Sequence, residues 1–555
     1  STEIVPDYSG FLAGTTSAVL TLASSRAAEA ARAALFLREY PYGCLEQTVS
    51  RGWAHLAALD YGALLGEEDE EKSLLALEGA LGRLLTMQTF QGGFASWPAG
   101  RSIDDLGTNY AAQFLVEAAK RIELPGRLLP DALARLERLF STSGDGGPEH
   151  LHVRAHALYV LTLAGFGNRQ RLNYLKERSS GLGEGGLVFL AAAEALTDGR
   201  PDALEALDKN APGEAGFPDE YYDYMAGPSR DRSLRLMAWA GVDPLNPRTA
   251  ELADLVAEDG RLGRWRTTQE NGMAVLALSS YFSKIGAADP YRLKVSDSRG
   301  RELASGTQLD PVGLSAGVLA ALPDDRLIVE KTGPGKPFYS LVVAGVPLEA
   351  PAPVSKTLSL VRTWTMTGSG SGRPRTVVFA TDGVTVTGAS GDNPASADAG
   401  SPGPATIYFS RGGIVDVELL VESGTEVRNV VVADLVPGGF ELLGLSADRG
   451  GTDSAARGAS GEVEYFRDYA DYAEDGGEDY DDYDDYADES SSPHLEQRED
   501  RVVAVVPAVR GRTIIRYSLR AVTKGEFVVP PATAEGMYDP DCQAVLPEAR
   551  VVVGD

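Results

Sequence analysis

The stretch Tyr40-Pro41-Tyr42-Gly43-Cys44-Leu45-Glu46-Gln47-Thr48-Val49-Ser50-Arg51, YPYGCLEQTVSR, holds one of only two cysteines in a chain of 555 residues. The cysteine sits three residues before a glutamine and just after a proline and a glycine. If a helix starts near Gly43, Cys44 and Gln47 stand at i and i+3, on one side and one turn apart. The thiol then lies beside the side-chain amide carbon of Gln47. Attack by the thiolate with loss of ammonia would join the two as an internal thioester. Such a bond is a stored acyl group with a good leaving group, ready for transfer to an amine, a hydroxyl or water. Gly43 permits an unusual turn before the helix, and Pro41 restricts how the chain enters it.

Working outward, the segments from about Ser24 to Ile285 carry apolar residues at three- and four-residue spacing. SRAAEAARAALFLREY, SLLALEGALGRLLTMQ, NYAAQFLVEAAKRI, VRAHALYVLTLAGF and NGMAVLALSSYFSKI are examples. Short Gly- and Pro-containing connections separate them. Helix pairs in series predict an open solenoid or a closed toroid. From Pro290 the texture changes to short β-rich runs such as YRLKVSD, DRLIVEKT and FYSLVVAGV, and AVLTLAS near the N-terminus is similar. β segments on both sides predict that the helical block is inserted into a β domain. From about Pro351 to Asp555 strands recur at sandwich-like intervals. GIVDVELLVES, VRNVVVADL, VVAVVPAV and TIIRYSLRAV are among them. We therefore expect a split β domain at 1–23 and 288–350, a helical domain at 24–287 and a β-sandwich at 351–555.

The totals limit the function. The net charge of −29 argues against nucleic acid or an anionic membrane as a partner. Residues 461–490 hold fourteen acids and one base, and supply nearly half of that charge. The stretch DYADYAEDGGEDYDDYDDYADESSSP is of low complexity, so 461–492 reads as an acidic insertion in the sandwich. DDYDD (Asp481 to Asp485) spells the aspartate-rich motif of prenyl-diphosphate enzymes. That motif needs an apolar helix bundle, and here it sits in a polar repeat. The five histidines and two cysteines show no metal-ligand spacing, so no metal is expected. No run of about 18 apolar residues encodes a transmembrane helix. The start STEIVPDYSGFLAG has neither an initiator Met nor a signal-peptide pattern, so the chain reads as a processed or partial one. Cys44 and Cys542 allow one disulfide at most. A free, partly buried Cys542 is the simpler expectation.

YPYGCLEQTVSR resembles the thioester signature of the α2-macroglobulin and complement superfamily, in its bacterial branch. C-x-E-Q is short, and the flanking YPYG and TVSR carry the specificity. QGGFASWPAG and WRTTQENGMAVLALSSY are similar to a loop and the last helix of the family's thioester domain. VVADLVPGGFELL, REDRVVAVV and FVVPPATAEGMYDP are similar to its C-terminal macroglobulin-like domain, so the resemblance covers nearly the whole chain. It implies an α/α-toroid thioester domain inserted in a CUB-like β-sandwich, followed by a macroglobulin-like β-sandwich. It implies a protease inhibitor used once, not an enzyme, with no cofactor. Cleavage of a bait region in upstream macroglobulin domains would expose the thioester to a Lys amine of the attacking protease. By the resemblance Cys44 is the leaving thiol, Gln47 supplies the acyl carbon, and Glu46 orients the bond or assists proton transfer. The alternative for Glu46 is an exposed acid favoured by a helix N-terminus. Tyr538 and Met537 in GMYDP would shield the bond from water, with Tyr42, Tyr40 and Trp53 as local cover; the alternative is that these are ordinary core or interface residues. Gly536 stands where the family often has Ala. His150, His152 and His156 lie at a loosely suitable distance to take over the acyl group, as a His does in complement-type relatives, or are ordinary loop and helix residues. The resemblance also implies a periplasmic location, with any inner-membrane lipid anchor upstream. Two other classes compete. One is an adhesin that uses a thioester to attach to a surface. The other is an α/α-toroid enzyme such as a terpene cyclase, to whose glutamine–tryptophan repeats QTFQGGFASW is faintly similar.

Overall fold

The computed structural model describes residues 1–23, 27–65, 70–141, 148–209, 227–260, 265–285, 292–306, 312–333, 338–366, 375–387, 405–443, 464–467 and 493–554. The chain forms two compact units, Ser1–Leu348 and Glu349–Asp555.

In the first unit the helical block comprises α1 (Ala27–Arg38), α2 (Leu45–Leu65), α3 (Glu70–Met87), α4 (Asp105–Ala118), α5 (Leu128–Arg138), α6 (Pro148–Leu163), α7 (Arg169–Lys176), α8 (Glu184–Asp198), α9 (Asp202–Lys209), α10 (Pro228–Val242), α11 (Pro247–Asp259) and α12 (Thr268–Ile285). Local chemistry sets their starts. Asp104 caps α4 by accepting from the Gly107 N–H at 2.8 Å, and Asn246 caps α11 in the same way. At α12, Thr267 and Glu270 form a capping box: Thr267 Oγ1 accepts from the Glu270 N–H, and Glu270 Oε2 accepts from the Arg266 and Thr267 N–H groups. The even-numbered helices pack in sequence, α2 on α4, α4 on α6, α6 on α8, α8 on α10 and α10 on α12. Then α12 packs on α2, so the six close a ring, and α3, α5, α7, α9 and α11 pack outside it. The core is rich in small residues; Ala33, Ala34, Ala111, Ala155 and Ala274 are fully buried, which lets helix backbones approach closely.

Strands before the block pair with strands after it. Thr2–Ile4 lies against Leu327–Thr332 in a four-stranded sheet with Arg292–Asp297 and Glu302–Gly306. Ser17–Ala23 lies between Val312–Leu314 and Phe338–Ala344 in a three-stranded sheet. The two sheets share one core, built around Leu20, Leu22, Val295 and Leu327. The helices thus leave and rejoin a small two-sheet sandwich.

The second unit is built on two long antiparallel strands, Ile414–Leu435 and Arg501–Ala521. Each unites two runs that the sequence shows as separate strands, GIVDVELLVES with VRNVVVADL and VVAVVPAV with TIIRYSLRAV. The join in the first is an irregularity between Ser423 and Val427. In the second, Pro507 falls at the register position opposite Asn429, which takes a left-handed φ of 53°, so the strand continues past a residue that cannot donate to the ladder. Val415, Val417, Leu419 and Val421 point inward, while Glu418 and Glu422 meet Arg516 and Arg512 on the outer face. A three-stranded sheet of Thr406–Ser410, Ala549–Gly554 and Gly525–Val529 packs on the same core. Of the acidic insertion 461–492, only Glu464–Arg467, a strand pairing with Arg501–Ala521, is described; DDYDD lies outside the described residues.

Candidate functional site

Cys44 stands at the N-cap of α2. Its carbonyl accepts the first helical bond, from the Thr48 N–H at 2.9 Å. Gln47, the third helical residue, reaches back, and its Oε1 accepts from the Cys44 N–H at 3.2 Å. This is the glutamine half of a capping box, and it holds the side-chain amide of Gln47 over the residue that carries the thiol. Cys44 is 8% exposed and Gln47 1%. Two neighbours fix the turn from outside. The Leu45 N–H donates to the Ser96 carbonyl at 2.9 Å, which brings the QGGFASWPAG loop against the turn. Arg83 Nε on α3 donates to the Gly43 carbonyl at 2.6 Å. A Cβ at Gly43 would stand 2.9 Å from that Nε, and the Gly43 φ is not left-handed. The absence of a Cβ at Gly43 thus gives the Arg83 guanidinium its close approach, and no left-handed φ calls for glycine here.

Glu46 is not an exposed acid at a helix end: it is 2% exposed. Its Oε1 accepts from Ser50 Oγ and its Oε2 from Thr268 Oγ1, both at 2.6 Å. Ser50 Oγ also lies 2.9 Å from the Tyr110 hydroxyl. Burial, and then the Glu46 charge, push the Tyr110 hydroxyl well above its ordinary titration range. Gly272 brings α12 close: a Cβ there would be 3.1 Å from Tyr110 Oη and 3.4 Å from the Ser50 Cα. Sequence reasoning missed Arg83, Ser96, Ser50, Tyr110 and Thr268. Only Ser50 carried a signal, standing four residues after Glu46 on one helix face.

The other predicted residues divide. Phe36, Tyr40 and Tyr42 form an edge-on run of rings leading to Gly43, with centroids 5.5 and 5.7 Å apart. Trp53 lies in the helical core against Phe114, 5.3 Å away, so it is a packing residue. His150 is exposed. His156 is buried, stacked on Phe189 at 4.0 Å, with its Nε2 3.0 Å from Gln113 Oε1. Burial, then the Arg230 charge, lower His152 to about 3; burial, then the charges of His152 and Arg230, lower His156 as well. Both imidazoles are neutral core groups. In the second unit Met537 and Tyr538 form the two-residue tip between the paired strands Thr533–Gly536 and Asp539–Val545. The Met537 N–H donates to the Asn429 carbonyl at 2.9 Å, which seats the tip on the irregular position of the long strand. Gly536 leaves room for Cys542, whose Cβ would be 3.1 Å from an added Cβ. Cys542 is a buried free thiol, and burial followed by the hydrogen bond to Asp539 pushes its pKa up. Among the described residues no group of acids, histidines and cysteines is arranged to hold a metal ion, and no helix is long and apolar enough to cross a membrane.

Comparisons with known proteins point one way. The family profile for the bacterial alpha-2-macroglobulin MG10 domain matches residues 387–541. An alpha-2-macroglobulin of Xylella fastidiosa (strain Temecula1) is 28% identical over 530 residues, covering 90% of this chain and 28% of the relative. The alpha-2-macroglobulin of Escherichia coli K12 is 26% identical, covering 92% of this chain and 28% of its own. The chain thus spans little more than a quarter of the length of these curated relatives. Among solved structures, Salmonella alpha-2-macroglobulin reacted with methylamine matches with a TM-score of 0.72 at 24% identity, covering all of this chain and 33% of that one. Native Escherichia coli alpha-2-macroglobulin, from domain MG7 to the C-terminus, matches with a TM-score of 0.72 at 23% identity, covering all of this chain and 80% of that one. The resemblance to bacterial alpha-2-macroglobulin read from the sequence holds across the chain, and the fold is that of the C-terminal region of those proteins.

Proposed function

We propose that this chain is the thioester-bearing C-terminal part of a bacterial alpha-2-macroglobulin, a protease inhibitor and not an enzyme. In this reading the Cys44 sulfur attacks the Gln47 side-chain carbon. A C–S bond forms, the C–N bond breaks, and the thiol proton leaves with the amide nitrogen as ammonia. The stored acyl group then passes to a nucleophile, a Lys amine of a protease that has cleaved a bait region elsewhere in the protein, and Cys44 departs as the thiol. The observation that carries the reading is the buried first turn of α2, where the Cys44 backbone N–H donates to Gln47 Oε1 and holds the side-chain amide against Cys44. The six-helix ring would be the α/α-toroid thioester domain, the small sandwich the CUB-like domain around it, and Glu349–Asp555 the macroglobulin-like domain. Met537 and Tyr538 at their hairpin tip, with Tyr42, would keep water from the bond until cleavage. We place the protein in the periplasm.

Intact mass spectrometry of freshly purified full-length protein tests this. The expected mass is one ammonia below that of the sequence. Methylamine should add one amine at Gln47 and free one thiol, that of Cys44. A full sequence mass, with Gln47 untouched after methylamine, would refute the proposal. Cys44→Ala should abolish both the mass deficit and the amine uptake.

A further inference from the structure

We infer that Thr268, Ser50 and Tyr110 are positioning residues for the Cys44–Gln47 bond, acting through Glu46; the inference rests on the thioester reading above. Glu46 lies between Leu45 and Gln47 in the reacting turn, yet its carboxylate faces the ring. One oxygen takes a hydroxyl from α2 itself, one turn on, and the other takes a hydroxyl from the first residue of α12, the helix that closes the ring. With its single proton given to Glu46, Ser50 must accept from Tyr110, so Tyr110 Oη donates to Ser50 Oγ. The raised titration range of Tyr110 keeps that proton in place. A donor chain therefore runs from α4 through α2 to Glu46, and a second donor arrives from α12.

This arrangement supports the orienting role for Glu46. The two oxygens accept short hydrogen bonds from hydroxyls on different helices, so the carboxylate serves as a strut between α2 and α12. Buried carboxylates are stabilised by the donors that satisfy them, so losing one of these hydroxyls weakens the strut. Closing the thioester needs the Cys44 sulfur and the Gln47 carbon in near-attack contact, and small displacements cost large factors in rate. The turn that presents them is held by Arg83 and Ser96 on one side and by Glu46 on the other. The Thr268 contact links the stored bond to the seam between the first and last inner helices. Gly272, one turn along α12, lacks the Cβ that would push this seam apart.

The test uses full-length protein and three variants. Thr268→Val keeps the shape and removes the hydroxyl, Thr268→Ser restores it, and Tyr110→Phe removes only the far donor. Two readouts are taken on each: the rate at which the species one ammonia light accumulates, and the rate of methylamine uptake. Thr268→Val should slow accumulation about tenfold, the low end for a lost hydrogen bond to a charged group. Thr268→Ser should return to within about twofold of wild type, and Tyr110→Phe should fall between. If Thr268→Val does not fold, Tyr110→Phe carries the test, with a slowing of at least about threefold expected. A wild-type rate in the folded Val variant, or in Tyr110→Phe where that variant alone folds, overturns the inference and leaves the thioester intact. Equal losses in Val and Ser also overturn it, because they make the effect one of packing. A wild type that never shows the mass deficit removes the thioester reading itself, and the inference with it.

Discussion

Arg362 offers a severe test of how the second unit holds together. It occupies an inward position of the strand Leu358–Met366, between Leu360 and Trp364, and is wholly buried. Its Nη1 donates to Asp434 Oδ1 at 2.7 Å and to the Pro530 carbonyl at 3.1 Å, and its guanidinium stacks on Phe379 at 4.0 Å. Asp434 Oδ2 accepts from the Tyr517 hydroxyl. Replacing the arginine, as in Arg362→Met, leaves the Asp434 charge in the core with one hydroxyl for company. Breaking such a pair from one side costs about 3–5 kcal/mol. The double variant Arg362→Met/Asp434→Leu removes both charges and should recover most of that loss. Hydrogen exchange followed by mass spectrometry on the whole chain isolates the effect in peptides from Ile414–Leu435 and Arg501–Ala521. The single variant should exchange there between roughly 100- and 4,000-fold faster, since about 1.4 kcal/mol is a factor of ten. A single variant within about 1 kcal/mol of wild type, or a double variant less stable than the single, would refute the argument.

Three further outcomes follow from the same reasoning. Gly272→Ala places a methyl against Tyr110 and Ser50 and should lower stability by about 1–3 kcal/mol, read as a fall in the melting temperature of the helical unit. Since His152 is lowered from 6.5 to about 3, protons bind the unfolded chain first. Its contribution is complete above pH 6.5 and is lost at about 1.4 kcal/mol per pH unit as pH falls towards 3. Melting curves across that range should be flatter for His152→Gln; equal slopes would exclude His152 as a source of the acid sensitivity. Cys542, buried with a raised pKa, should alkylate slowly in native protein, while the Cys44 thiol freed by methylamine reacts sooner, as peptide mapping after timed iodoacetamide would show.

The helices and their order were legible because each carries a 3.6-residue apolar period, from SRAAEAARAALFLREY to NGMAVLALSSYFSKI. The apolar period alone left an open solenoid and a closed toroid equally allowed, since nothing local in α2 announces that α12 packs on it. Glu46 shows the limit well. Its position after a helix start suits an exposed acid, and its burial depends on Thr268, 222 residues away. Gly43 was singled out for its backbone freedom, whereas what crowds it is an arginine side chain from another helix. The long strands were cut in two by Ser423-Gly424 and Pro507, whose turn-like chemistry is absorbed by irregular pairing within one ladder. The Cys44–Gln47 turn itself was legible, since capping is a matter of a few neighbouring residues.

The pairing of Ser17–Ala23 with Phe338–Ala344 has a consequence for how the molecule is made. On a ribosome, the early strand emerges long before its partner, and every helix of the ring is synthesised in between. The ring can gather helix by helix from near neighbours, whereas the apolar strand must wait with an open edge. We therefore expect the small sandwich to be the last part of its unit to form, a clasp fastened around finished work, and its waiting strand to be the segment that a nascent-chain chaperone would need to guard.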